Sequence, residues 1–155
     1  MGSPAQILEA ERKKYPGMLP REILIWQTWL RKNTPRFDSY DYNVRGGDGR
    51  DPGAAYPQWA RDMAILSSQL RLDVLARNGT QATIIEIEEN PGMRAVGQLL
   101  GYEVFWIRDN PTLPRPRLML ICHTLNSDPA LVLARSGIQV ELTPTDFSLL
   151  YPKRK

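Results

Sequence analysis

Two apolar segments of the chain flank an Asn-Gly turn, and both carry carboxylates where a buried strand rarely holds a charge. Residues 70–76 and 82–87 are rich in leucine and β-branched side chains. Asn78 and Gly79, between them, readily adopt the positive φ angles that a tight hairpin turn requires. The two segments therefore predict an antiparallel β-hairpin.

The acids in this hairpin are Asp73 in the first strand and Glu86 and Glu88 in the second. Because side chains alternate along a strand, Glu86 and Glu88 lie on one face. Burying an unpaired carboxylate costs on the order of several kcal/mol. The acids must therefore face solvent or hold a cation, and the spacing alone leaves both arrangements open.

A polar helical stripe follows the hairpin. Residues 90–92, Asn-Pro-Gly, break the chain, and a helix is expected to begin near Met93. Arg94, Gln98 and Tyr102 are spaced four residues apart and share one face of that helix. A polar stripe directly after an acid-bearing strand indicates a functional site, although a solvated stripe with a tyrosine at its rim has the same pattern.

The size and composition are those of one soluble globular domain. The chain has 155 residues, of which 42% are hydrophobic and 24% charged. No apolar run is long enough to span a bilayer, and the N-terminus lacks the apolar segment of a signal peptide. The only cysteine, Cys122, lies in an apolar segment, which excludes a disulfide framework. We expect a cytoplasmic location.

The charges are unevenly placed although the net charge is only +3. Basic residues gather at 12–14, 31–36, 115–117 and 153–155, whereas acids gather at 86–89. A polyanion lying across basic surfaces, with acids at one point to hold a metal, would suit this separation. Solvated termini give the same pattern, so charge alone does not establish nucleic-acid binding.

The first half of the chain predicts three helices and a strand before the hairpin. Residues 7–15 form a short charged helix, and a core helix begins at Pro20, with Glu22 favoured in its first turn by the helix dipole. Residues 37–44 alternate as a strand, and residues 45–55 form a long mobile glycine-rich loop. A further helix opens at Pro57, with a stripe expected to face the core: Trp59, Met63, Leu66 and Leu70.

The second half predicts two more strands. Residues 118–122 are continuously apolar, hence a buried strand, and His123 at its end is interpreted as a structural residue rather than a catalyst. Residues 128–136 form a short helix ended by Gly137, and residues 138–142 alternate as a last strand. Together these elements predict a central mixed β-sheet flanked by helices, in the α/β (α+β) class.

The residues singled out above resemble the PD-(D/E)xK, or restriction endonuclease-like, nuclease superfamily. The resemblance is carried by Asp73, by Glu86-Ile87-Glu88 on the next strand, and by Gln98 and Tyr102 in the following helix. The Gln-x-x-x-Tyr element resembles the RecB-type branch, and the run GQLLGY resembles small phage and prophage nuclease-fold proteins. The implied core has the order αβ(α)ββαβαβ and occupies residues 19–142, between an N-terminal helical extension, 1–18, and a basic C-terminal tail, 143–155.

The resemblance implies roles for these residues. Asp73, Glu86 and the carbonyl of Ile87 would bind Mg²⁺ or Mn²⁺, which would activate a water and stabilise charge on the phosphate. Gln98 and Tyr102 would position the metal site or the DNA backbone. Glu22 would match an additional acid that some members carry.

One position departs from the family pattern. Glu88 stands where most members have a lysine, and a carboxylate cannot donate the hydrogen bond that lysine provides. Some active restriction enzymes of this superfamily also have glutamate there, so the change alone does not imply loss of activity. Arg71 and Arg94 are candidates for the missing positive charge, and plain charge neutralisation is the alternative interpretation.

The resulting hypothesis is a metal-dependent DNA phosphodiester hydrolase. The alternative is a catalytically inactive nuclease-fold protein that acts as a structural or binding component, for example of a phage particle or packaging machinery. The partners expected are DNA and, as alternatives, a second copy of the chain or phage structural proteins, but no membrane; a virion-associated location follows from the phage alternative. A sequence-specific DNA binder without chemistry is less supported, because no helix has the dense basic and amide face that major-groove readout needs.

Overall fold

The computed structural model describes residues 12–33 and 36–151. Their elements are, in chain order, α1 Pro20–Asn33, β1 Ser39–Gly46, α2 Gln58–Ser68, β2 Leu70–Asn78, β3 Gln81–Glu88, α3 Met93–Asp109, β4 Arg117–Cys122, α4 Ser127–Arg135, β5 Gln139–Leu142 and a final 3₁₀ turn, Ser148–Leu150. This order is the predicted one. Of the short helix predicted at 7–15, residues 12–14 are helical, and residues 1–11 lie outside the described part.

The strands form one five-stranded sheet in the order β1-β2-β3-β4-β5. β2 pairs antiparallel with both β1 and β3. β4 pairs parallel with both β3 and β5. The α3 and α4 helices supply the crossovers that parallel strands require. The predicted fold class, a mixed sheet flanked by helices in the order αβ(α)ββαβαβ, is confirmed.

The hairpin between β2 and β3 forms as predicted, but its turn lies one residue later than the Asn-Gly pair. Asn78 is still paired with Gln81, and Gly79 takes the positive φ of 57°. A two-residue hairpin loop with a positive φ only at its first position is the type that favours glycine there. The Asn78 side chain instead bonds the chain before β1, donating to the Arg36 carbonyl and accepting from Asp38 N–H.

The sheet has helices on both faces. α1 buries its aromatic residues Trp26 and Trp29 against one face, together with Ile85 and Ile121. α3 packs Leu99 on the other face. Even-numbered residues of β3 therefore point toward α3, which places Glu86 and Glu88 on the α3 side of the sheet.

The prediction that the helix opening after Pro57 buries a core stripe was wrong. Trp59 is 72% exposed and Met63 61% exposed, and no residue of α2 is buried. α2 is held by polar contacts from the preceding loop and from β1: Arg61 pairs with Asp51 of the loop, and Arg45 of β1 donates to the carbonyl of Leu66. Helical periodicity predicts an apolar face, but it does not determine whether the chain returns to cover it.

The segment after β5 lies along the domain. Thr143 and Thr145 are buried, and the backbone N–H of Thr145 donates to Nδ1 of His123 at 2.9 Å. The His123 ring also packs against Phe147, with centroids 4.8 Å apart. These contacts support the structural interpretation of His123, while the domain boundaries stay a prediction. Within the described ranges no helix is long and apolar enough to cross a membrane.

Candidate functional site

The site lies where β2 and β3 separate. Their paired residues run from Asn78 and Gln81 to Val74 and Ile85 and then stop. Beyond that point the Ile87 N–H donates to Oδ2 of Asp73 at 2.9 Å, and the Asp73 N–H faces the carboxyl of Glu86, where it partly offsets the rise that burial causes in the Glu86 pKa. A carboxylate has thus replaced the backbone carbonyl that would otherwise accept from the Ile87 N–H. The two acids hold the fork between the strands.

A bend in β1 and β2 places Asp73 in this fork. Leu72 packs in the same cluster as Leu75, although strict alternation would put them on opposite faces. In β1, Asn43 lies between Tyr42 and Val44, which pair with Val74 and Leu72 and also pack on opposite faces despite their even spacing.

Asn43 is the residue that allows the bend in β1. In the described part of the chain it is the one non-glycine residue with a positive φ, 53°. Asparagine tolerates this left-handed conformation better than most residues. The bends at Asn43 and at Asp73, its neighbour on β2, coincide, so the sheet changes direction at the site.

The fork opens into a cleft of about 620 Å³. The cleft brings together six of the seven predicted catalytic residues, the predicted backbone ligand and the additional acid: Arg71, Asp73, Glu86, Glu88, Arg94, Gln98, Ile87 and Glu22. Asn43, Glu89 and Asn90 line it as well, and sequence reasoning did not assign these three to the site. Asn43 gives no signal in the sequence, because its role depends on a backbone angle.

Tyr102, the remaining predicted site residue, is buried and does not line the cleft. Its hydroxyl donates to the carbonyl of Arg71 at 2.7 Å, and Nε2 of Gln98 lies 3.5 Å from the same hydroxyl. Tyr102 therefore ties α3 to β2 two residues before Asp73. The oxygen Oε1 of Gln98 is buried and has no hydrogen-bond partner among the described residues.

Burial dominates the electrostatics of Asp73 and Glu86. Glu86 is only 4% exposed; burial, reinforced by the charges of Asp73 and Glu88, raises its pKa to about 9. Burial likewise raises the pKa of Asp73 to about 7, and the charges of Glu22 and Glu88 add to this, whereas the hydrogen bond from Ile87 opposes it. Without a cation, the site therefore favours bound protons near neutral pH.

Glu88 faces the cleft at the end of β3. Burial raises its pKa, and the positive charge of Arg94 opposes the shift. Among residues 12–33 and 36–151, Glu88 has no ion pair within 4 Å with Arg94 or Arg71. Glu89 differs, because it is paired with Arg21. Glu88 thus lines the same cleft as Glu86, two residues further along β3, and forms no ion pair within the described chain.

The donor set fits a hard divalent cation that keeps part of its water. No three acidic, histidine or cysteine side chains of the described chain are grouped closely enough to hold a metal by themselves. The protein oxygens available are the carboxylates of Asp73 and Glu86, the amide oxygen of Gln98 and the carbonyl of Ile87, which points the same way as the N–H that meets Asp73. An oxygen-only set with few protein ligands suits Mg²⁺ or Mn²⁺. The unpartnered Oε2 of Glu86 is the atom such an ion would satisfy.

Comparison with known proteins adds similarity in structure but none in sequence. No family model matches the chain, and no curated protein matches it. Solved structures similar to it are EndoMS in complex with double-stranded DNA (13% identity, TM-score 0.44, covering 94% of this chain and 48% of that one), a repair endonuclease from Pyrococcus abyssi (12%, 0.43, 94% and 49%) and a protein of unknown function (14%, 0.45, 76% and 56%). The chain spans about half the length of these structures.

Proposed function

We propose that this chain is a divalent-metal-dependent nuclease that hydrolyses phosphodiester bonds of DNA, of the PD-(D/E)xK type with Glu88 in place of the usual lysine. The observation that carries the proposal is the burial of Glu86, which is 4% exposed and has one carboxylate oxygen without a partner among the described residues. Glu86 and Asp73 lie on neighbouring strands, and both line the open cleft. A buried, unpaired carboxylate is costly unless a cation completes its environment.

Asp73, Glu86 and the Ile87 carbonyl would hold Mg²⁺ or Mn²⁺. Such an ion, when bound, lowers the pKa of a coordinated water and stabilises negative charge on the phosphate. Glu88 can accept a hydrogen bond from the attacking water and orient it, since a carboxylate accepts but does not donate. Arg71 and Arg94, at the cleft wall, can neutralise the phosphate oxygens.

The pair Gln98 and Tyr102 supports assignment to the RecB-type branch. Tyr102 fixes the carbonyl of Arg71 and so fixes the register of β2 just before Asp73. Gln98 adds a neutral oxygen to the cleft beside two carboxylates. In this arrangement Tyr102 positions the metal ligands without touching the substrate, whereas Gln98 lies within the cleft itself.

The decisive experiment is cleavage by the purified full chain with Mg²⁺ or Mn²⁺ and with EDTA as the blank. Single-stranded and double-stranded DNA and RNA, linear and circular, identify the substrate and separate exonuclease from endonuclease action. Asp73→Asn and Glu86→Gln are expected to abolish cleavage, because each removes a charged ligand at constant shape. Asp128→Asn, an exposed acid on α4, is the matched control. Full activity in both cleft variants would contradict the proposal.

A second candidate is a catalytically inactive nuclease fold that serves as a structural or binding component, for example of a phage particle or packaging machinery. It is favoured by one observation: within the described chain, no lysine lines the cleft. Calorimetry with Mn²⁺ separates the two candidates. Absence of both metal binding and cleavage, together with association with a second copy, DNA or a phage structural protein, would favour this candidate.

A further inference from the structure

A second groove of about 460 Å³ adjoins the acidic cleft. Its walls are the apolar surfaces of Leu19, Pro20, Leu150 and Tyr151, with the guanidinium of Arg21 beside them. The groove and the cleft share three lining residues, Leu19, Glu22 and Glu89. The groove therefore lies directly beside the cleft that contains Asp73.

The ring of Tyr151 is exposed but fixed in place. It is 61% exposed, yet its hydroxyl accepts a hydrogen bond from Arg21, whose guanidinium carbon lies 5.3 Å from the ring centroid. Arg21 is itself held by its ion pair with Glu89 and lies 5.0 Å from the Phe147 ring centroid. Because the Tyr151 side chain is already held, it loses little further conformational entropy when a second ring stacks on it.

The chemistry of the groove matches a nucleobase. Bases have apolar faces that stack on aromatic rings and on guanidinium planes, and polar edges that form hydrogen bonds. Tyr151 and Leu19 supply the apolar surfaces, and the latter is 63% exposed. Glu22 and Glu89 lie on the wall shared with the cleft, and one carboxylate oxygen of each is occupied, by the Leu19 N–H and by Arg21. Their second oxygens are acceptors for the amino groups of adenine, cytosine or guanine.

We propose that this groove binds an unpaired nucleobase adjacent to the phosphate that a cation held by Asp73 and Glu86 would bind. The preferred substrate is accordingly a single strand or a frayed duplex end, because a paired base must first be unstacked at a cost of a few kcal/mol. The proposal rests on the proposed nuclease function and names the substrate class for the same site. Tyr151 contacts the base and not the reacting phosphate, so it acts on substrate binding.

The test is fluorescence anisotropy with a labelled 12-nucleotide single strand and the matching blunt duplex, in Ca²⁺ to limit cleavage. Tyr151→Ala is expected to weaken single-strand binding about 5- to 150-fold, the range for loss of one base stacked on an aromatic ring. Tyr151→Phe keeps the ring and is expected to bind within about threefold of wild type. Tyr56→Ala removes an aromatic residue of similar exposure, 55%, outside the groove and is the control expected to leave binding unchanged.

A measurement on the wild-type protein needs no variant. A fully abasic strand of the same length is expected to bind more weakly than the normal single strand, because no base can then occupy the groove. Equal affinity for abasic and normal strands, or for single strand and duplex, would overturn the base-binding proposal. If Asp73→Asn abolishes cleavage while Tyr151→Ala binds like wild type, the groove proposal falls and the nuclease proposal stands. If nothing is cleaved but Tyr151→Ala loses single-strand binding, the groove proposal stands and the nuclease proposal falls.

Discussion

Replacing Glu86 by glutamine is expected to stabilise the metal-free protein while abolishing cleavage. Glu86 is enclosed on the α3 side of the sheet, and one of its oxygens has no partner in the described chain. Glutamine has the same shape, keeps an oxygen that can accept from the N–H of Asp73, and carries no charge to desolvate. A buried carboxylate that lowers stability is more typical of a functional site than of a structural core.

The magnitude follows from the titration of Glu86. Its pKa is raised from 4.5 in the unfolded chain to about 9 in the folded protein, primarily by burial. The folded state therefore keeps a proton that the unfolded state releases, and stability is full below pH 4.5 and falls as the pH rises toward 9. The slope is on the order of 1 kcal/mol per pH unit. At pH 7 the penalty removed by Glu86→Gln is on the order of 3 kcal/mol.

Urea unfolding in EDTA at pH 5, 7 and 8.5 measures this penalty. The midpoint of the variant is expected to exceed that of wild type by a margin that grows with pH, with an unchanged slope against denaturant. Mn²⁺ at 100 times its dissociation constant is expected to raise the stability of wild type by about 3 kcal/mol and that of the variant by much less. Asp128→Asn, which removes an exposed charge, is expected to stay within about 0.5 kcal/mol of wild type at every pH.

Two results would refute the reasoning. A Glu86→Gln protein less stable than wild type at pH 7 without metal would mean that the carboxylate is well solvated or well partnered. An unchanged pH dependence in the variant would assign the titration to another group, of which Asp73, with its pKa raised to about 7, is the nearest. Either result would remove the energetic argument for a cation at this position.

Three further outcomes are expected. Trp59→Ala is expected to change the free energy of unfolding by less than about 0.5 kcal/mol, whereas Trp26→Ala costs about 3–5 kcal/mol, because only the second is buried; equal losses would show that α2 is covered. Tyr102→Phe leaves the Arg71 carbonyl without its donor and is expected to cost about 1–2 kcal/mol in urea unfolding and to lower kcat more than KM; no change in either would remove its positioning role. His123→Ala is expected to lower stability by about 1–3 kcal/mol without changing kcat, and an unchanged stability with lost activity would instead make His123 catalytic.

The sequence could predict most of the residues that line the candidate site because their signals are local. The i, i+2 spacing of Glu86 and Glu88 and the four-residue spacing of Gln98 and Tyr102 follow from strand and helix geometry alone. Asp73 could be added because a hairpin fixes which residues lie opposite each other, and the turn shifted by one residue without changing that register. The role proposed for each of these residues came from resemblance to the nuclease superfamily, because spacing alone does not predict a role.

The features that were missed depend on contacts distant in sequence. The apolar stripe of α2 has the same periodicity as that of a core helix. The helix is instead held by polar contacts with Asp51 and Arg45, and none of its residues is buried. Asn43 became part of the site through a positive φ that nothing adjacent in sequence requires. The second groove is lined by both Leu19 and Tyr151, and no sequence pattern links residues so far apart.

Glu88 changes the net charge of the candidate site more than it changes the kind of ligand that the site could bind. A lysine at this position would neutralise one carboxylate of the metal-free site, so that the cation would have to compete with it. Glu88 instead adds a half-buried carboxylate to Asp73 and Glu86, and its charge raises the pKa of both. Arg94 offsets this only in part, since it forms no ion pair with Glu88 within the described chain. Because like charges in a buried site are relieved by protons or by a cation, glutamate at this position would make the proposed nuclease depend more strongly on metal than lysine would. In that proposal, the positive charge that neutralises the phosphate would come from the ion and from Arg71 and Arg94, and not from residue 88.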